Sequence, residues 1–162
     1  MFKKIALALL IIFVVMQFFR PAKNTSTVAA AANIASKYNT PDNVQAVLKK
    51  ACNDCHSNNT TYPWYAAVQP VGWWLDHHVD EGKQELNLDD FLNYGLRKQY
   101  HKLEEIIEQV KTGEMPLNSY TWTHKDAILT MEEKALLTSW SQSIRTQMEQ
   151  QYPMDSLIRK KN

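Results

Sequence analysis

The 162-residue sequence predicts an all-α domain, and three observations carry that prediction. Apolar side chains recur three and four apart along several stretches, which puts them on one face of a helix. No run alternates with the period of two that a half-buried strand requires. Glycine occurs only four times, too rarely for sheets joined by tight glycine hairpins. The length suits one domain with a leader. A formal charge of +1 and a pI near 7.8 exclude the clustered basic footprint of a nucleic-acid binder.

The first element is hydrophobic. Lys3 and Lys4 precede an unbroken apolar run from Ile5 to Met16, with Phe18 and Phe19 after Gln17. A basic start followed by an apolar stretch marks residues 1–20 as a signal peptide or an uncleaved membrane anchor. Counted over residues 2–19, with the two lysines snorkelling, the stretch approaches the roughly 17 to 20 residues a span needs. Residues 21–39 are rich in Ala, Ser, Thr and Asn and read as a linker. A domain over residues 40–150 follows, and residues 151–162 read as a polar tail.

Inside the domain, Thr40 is placed as N-cap, Pro41 at the first helical position and Asp42 in the first turn. Val44, Val47, Leu48 and Ala51 then share a face. A second helical stretch lies between Gly72 and Gly82, where Leu75, His78 and Val79 coincide. Asn87 opens a short helix that closes near Gly95. From Leu96 to Lys111 the stripe of Tyr100, Leu103, Ile106, Ile107 and Val110 predicts an amphipathic helix, with Lys102 and the glutamates on its solvated face and Gly113 as its stop. Thr130 and Glu133 form a capping box for a last long helix, lined by Leu137, Trp140, Ile144 and Met148. Arg145 and the basic tail residues Arg159, Lys160 and Lys161 are placed in solvent.

The chemistry is concentrated in Cys52, Asn53, Asp54, Cys55 and His56. Cys-X-X-Cys-His is the attachment signal for a c-type haem: two thiols a helical turn apart each bond a porphyrin vinyl group, and the next residue offers its imidazole to the iron. The alternatives are a zinc site, a redox dithiol and a structural disulfide. Zinc would need a second ligand arm, and His77, His78, His101 and His124 supply no usual one. The aromatic stretch after the motif, including Tyr62, Trp64, Tyr65, Trp73 and Trp74, suits the faces of a flat apolar disc taken together, although most of the rings taken singly are more readily core. A sixth iron ligand is sought downstream. Met115, in a loop just past Gly113 and followed by Pro116, is the candidate distal thioether; His78 is the alternative, with His77 beside it. The fold is accordingly read as a small cytochrome-c-like helical domain around one covalent haem c.

The order of these features resembles the bacterial haem-binding domain family of small mono-haem c-type cytochromes. The resemblance rests on Cys52 to His56, Tyr62-Pro-Trp-Tyr65, Pro70-Val-Gly-Trp-Trp-Leu75, His78-Val-X-X-Gly82, Leu86-Asn87, Gly113-Glu-Met-Pro116 and Trp140. It implies one covalent haem attached at Cys52 and Cys55, with His56 as proximal ligand, and Met115 matches the position expected for the distal one. Tyr120 and His124 also fit the pattern, without a role attached.

Two functions are weighed. With His56 and Met115 both on the iron, no position is open to a substrate, which favours an electron carrier over an enzyme. It would serve redox protein partners in the periplasm, anchored to the cytoplasmic membrane if residues 2–19 are retained. The alternative is a peroxidase-like enzyme or a gas or redox sensor whose sixth position is open or displaceable, with a nearby histidine to handle protons.

Overall fold

The computed structural model describes residues 1–159, and among these there are helices and turns but no strand. The helices are α1 (Phe2–Met16), α2 (Asp42–Ala51), α3 (Asn53–His56), α4 (Val71–Glu85), α5 (Leu96–Thr112), α6 (Asn118–Thr121), α7 (Met131–Gln151) and α8 (Met154–Leu157). Single 3₁₀ turns sit at Ile34–Ser36, Trp64–Ala67, Leu88–Asn93 and Lys125–Ala127.

The core forms where α2, α5 and α7 lay their apolar stripes together. Val44, Val47 and Leu48 of α2 meet Leu103 and Val110 of α5 and Leu137, Ile144 and Met148 of α7, all buried. The capping box of α7 is present, with Thr130 Oγ1 accepting from Glu133 N and Glu133 Oε2 accepting from Thr130 N. Gly113 closes α5 at φ +80°, a left-handed conformation that costs other residues about 1 kcal/mol or more.

Several boundaries differ from the sequence expectation. Helix α2 begins one residue later, at Asp42, because Pro41 is extended at ψ 154° and the Thr40 hydroxyl donates to the Tyr38 carbonyl instead of capping. The helical turn after Asn87 is 3₁₀ and ends at Asn93, and Gly95 caps α5. Residues 21–39 are not a free tether. Ile34 and Tyr38 are buried at 2% and 0% exposure, and Asn24 bonds Ser57, Thr60 and Tyr62. Of the expected polar tail, α8 docks Leu157 into the core; Lys160 and Lys161 lie outside the described residues. Isolated buried residues such as Ile34 and Leu157 carry no periodicity, so nothing in the sequence marks them.

Two cations expected in solvent are also held. Lys102 is only 8% exposed, its ammonium 3.1 Å from Glu85 and 2.6 Å from Glu105. Burial pulls this ammonium down, but the Glu105 and Glu85 carboxylates outweigh it and hold the group above the usual lysine value. Arg145 lies over the Tyr100 ring at 4.2 Å and pairs with Glu104 at 3.3 Å.

The hydrophobic helix stops at Met16, short of the residues 2–19 that a span would need. At 1.5 Å per residue its 15 residues reach about 22 Å, against a hydrocarbon core of about 30 Å. No helix among the described residues is long and apolar enough to cross a membrane.

Candidate haem site

The site begins where α2 ends. Cys52, at φ −129° and ψ −44°, turns the chain out of α2, and its carbonyl accepts from Cys55 N and His56 N to start the single turn of α3. This turn packs against the C-terminal half of α4, and Gly82 is what allows it. A Cβ at Gly82 would lie 2.7 Å from the Cys55 carbonyl oxygen and 2.9 Å from Cys55 Cβ. With no side chain there, the two backbones meet, and the last carbonyls of α4 come within reach of the imidazole.

His56 Nδ1 lies 2.9 Å from the carbonyl oxygens of both Gly82 and Leu86. Two acceptors at one nitrogen require that nitrogen, in the neutral ring, to carry the hydrogen. Nε2 then keeps its lone pair. A ligating histidine is held in this way, its second nitrogen donating to a carbonyl that fixes the ring and raises its basicity.

The cleft beside this imidazole has a volume of about 390 Å³, and Cys52, Cys55, His56, His78 and Met115 all line it. Five of the iron and thioether candidates named from sequence are thus brought to one cavity. Met115 arrives on the loop after α5, its backbone N–H donating to the Gln109 carbonyl at 3.2 Å. His77 does not join them: it is exposed and pairs with Glu81 at 3.2 Å. A second, apolar cleft of about 380 Å³ adjoins through Cys55, His78 and Tyr120 and is walled by Tyr62, Tyr65 and Trp74. A third, of about 290 Å³, adjoins through Cys52, His56 and Met115 and is walled by Leu48, Ile106 and Leu137. Volumes of this size are those of cofactor pockets, and flat apolar walls around a free imidazole nitrogen fit a haem.

Two residues of the site carried no assigned role in the sequence. Asp54, inside the motif, accepts from Tyr120 Oη at 2.8 Å through Oδ2 and from Thr61 N at 2.9 Å through Oδ1. Tyr120 in turn stacks on His124 with centroids 4.2 Å apart. Burial, then the Asp54 carboxylate, push the Tyr120 phenol well above its ordinary value, so it remains a donor. This pair ties the attachment loop to the segment following Met115.

The other chemistries fit less well. Both cysteines are free thiols, and among the described residues no three His, Cys, Asp or Glu side chains gather to hold a metal ion. Burial pushes the Cys52 thiol up to about 12 and the Cys55 thiol up to about 11, opposite to the lowered values of reactive dithiols.

A family model described as a haem-binding domain matches residues 11–143. The chain belongs to the haem-binding domain family. Haem binding therefore accounts for the cleft, and the all-helical frame agrees with the fold read from the sequence. No curated protein and no solved structure matches the chain. In this haem-binding domain, the Gly82 approach and the Nδ1 anchorage of His56 are what the fold fixes beside the cleft.

Proposed function

We propose that this haem-binding domain is a mono-haem c-type electron-transfer module working outside the cytoplasmic membrane. Cys52 and Cys55 would hold the porphyrin edge as thioethers, each thiol having added across a vinyl group. His56 would hold the iron through Nε2 and Met115 through its sulfur, and a haem so held would carry electrons rather than bind a substrate. The bound haem supplies a one-electron couple, tuned by its axial ligands. The chain contributes the rest: His56 is oriented by Gly82 and Leu86, water is kept from the ring by the aromatic walls, and redox proteins exchange electrons at the haem edge. The observation that carries this reading is the single cleft shared by both thiols, the anchored imidazole and Met115.

A second reading has an observation of its own. His78 Nδ1 lies 2.9 Å from the Trp74 carbonyl, which leaves Nε2 available in the same cleft. Were Met115 off the iron, that nitrogen would suit a proton-handling role in peroxide or gas chemistry.

The absorption spectrum of protein matured in a host that attaches haem decides between them. The expected result is a pyridine haemochrome shifted as for thioether-bound haem, with the weak long-wavelength charge-transfer band of thioether-ligated ferric iron. Met115→Ala should abolish that band and lower the reduction potential, whereas His78→Ala should leave both unchanged. A high-spin ferric spectrum in the unaltered protein, with rapid peroxide or carbon monoxide binding, would overturn His/Met ligation and favour the second reading.

A further inference from the structure

We propose that the exposed tryptophan face beside α1 seats in the headgroup layer of the bilayer that holds α1, so that the domain is fixed flat on the membrane with its apolar cleft at the lipid surface. This rests on the reading of residues 1–20 as a retained membrane segment and deepens it by assigning an orientation.

The first observation is a rigid joint. Gln17, just past α1, donates through Nε2 to the Gln69 carbonyl at 3.1 Å and accepts at Oε1 from Gln69 N at 2.9 Å. Gln69 itself is only 1% exposed. Trp73 Nε1 donates to the Phe19 carbonyl at 2.6 Å, and Arg20 Nε donates to the Gln17 carbonyl at 3.2 Å. An apolar helix whose residues are almost all exposed is therefore clamped directly to the start of α4, with no free linker between them.

The second observation is exposed tryptophan outside the cleft: Trp64 is 82% exposed and Trp73, in the joint itself, 38%. Val71, Trp74 and Trp122 border the apolar cleft that adjoins the attachment motif, and Trp64 stands edge-on to Tyr65 of that wall. Tryptophan with an accessible ring and a polar N–H is the residue that membrane interfaces collect.

The third argument is length. A helix of about 22 Å is shorter than the hydrocarbon core, and a short segment is accommodated by thinning the bilayer or by drawing its flanks into the interface. Here the flank is Phe18, Phe19, Arg20 and the tryptophan face. The lipid interface, more than a second protein, satisfies the exposed helix and the exposed rings together.

The test uses the full chain, loaded with haem and reconstituted in oriented multilayers of phosphatidylcholine and phosphatidylglycerol. Electron paramagnetic resonance of the ferric haem should vary with the angle between field and membrane normal. Trp64→Ser, which alters no residue lining the cleft and none of the joint, should reduce that anisotropy while the optical spectrum stays the same. An isotropic signal from the unaltered chain, or an unchanged anisotropy in the variant, overturns the proposal. A second measurement needs no haem. Phospholipid carrying a photoactivatable headgroup should label residues 62–75 and 117–124 as well as the N-terminal segment, and label confined to residues 1–20 would overturn the seating. Orientation appearing only in native membranes, not in pure lipid, would assign the face to a protein partner and equally overturn it. A colourless product that still shows the full labelling pattern would sink the haem reading alone.

Discussion

His56 gives the site its polarity. One ring nitrogen is committed to two backbone carbonyls, and the other is delivered to a cleft with two thiols. Asp54 does comparable work for the loop around it, accepting from a backbone N–H and from the Tyr120 hydroxyl. That second bond leads to a prediction. In the folded chain the Tyr120 phenol keeps its proton above the ordinary value of 10.0, first through burial and then through Asp54. The unfolded chain releases that proton once pH passes 10, so stability is flat below this value and falls above it. Tyr120→Phe should lose roughly 1.5–3 kcal/mol at neutral pH, the worth of a bond to a charged acceptor. It should also show a shallower alkaline decline in urea midpoints between pH 9 and pH 11. Tyr38 and Tyr100, whose phenols are likewise raised by burial, remain in both proteins and contribute to the residual slope, as do the Cys52 and Cys55 thiols, raised from 9.0, in chains without attached haem. Parallel declines would show that Tyr120 takes no part in the titration.

At the scale of elements, the site depends on how closely α4 approaches α3. Gly82→Ala puts a methyl 2.7 Å from the Cys55 carbonyl, a backbone atom that cannot swing aside. Overpacking of this kind costs about 1–3 kcal/mol, and here it also moves the Gly82 and Leu86 carbonyls away from His56. The variant is expected to incorporate less haem per chain by pyridine haemochrome and to melt lower; full incorporation at unchanged melting temperature would show that the two helices can separate without harm. The sequence offers Gly82 only as the end of a helical stretch and as part of a resemblance, whereas α4 runs on to Glu85, because close approach between elements leaves no local pattern. By contrast α5 and α7 were legible in detail: a long apolar stripe with a glycine stop or a capping box is a local signal, and both helices form nearly where expected. Cys52, Cys55 and His56 stand out in the sequence for a different reason, their spacing being that of a haem-attachment signal, and the structure places all three at one cleft. Met115 was marked by its place between a helix stop and a proline. The Asp54–Tyr120 bond joins positions 66 apart, and Lys102 sits on the edge of a stripe where its neighbours decide between water and burial.

Taken as a whole, the molecule has two unequal sides. On one, α5 runs along α7 and both pack with α2 into the shared core. On the other, α4 has α3 and the Trp64–Ala67 turn as its chief neighbours, and α6 has the Lys125–Ala127 turn. Within α4 only Gly72 and Val79 are buried, and Val79 stands outside the core cluster. The clefts that would be filled by haem lie between these sides, so the cofactor supplies the apolar surface that α4 and α6 lack. A ligand that binds only the folded form stabilises it, and the elements it touches gain most. Hydrogen exchange therefore should separate the two sides in a haem-free Cys52→Ser/Cys55→Ser chain. Amides of α4 and α6 are expected to exchange on the order of tenfold faster or more than in the haem-loaded protein, equivalent to at least about 1.4 kcal/mol of local opening. Those of α5 and α7 should keep most of their protection, because Leu103, Leu137 and Ile144 bury one another without the cofactor. Equal acceleration in all four helices would mean that the haem is part of one cooperative core, and that the α2–α5–α7 frame cannot stand without it.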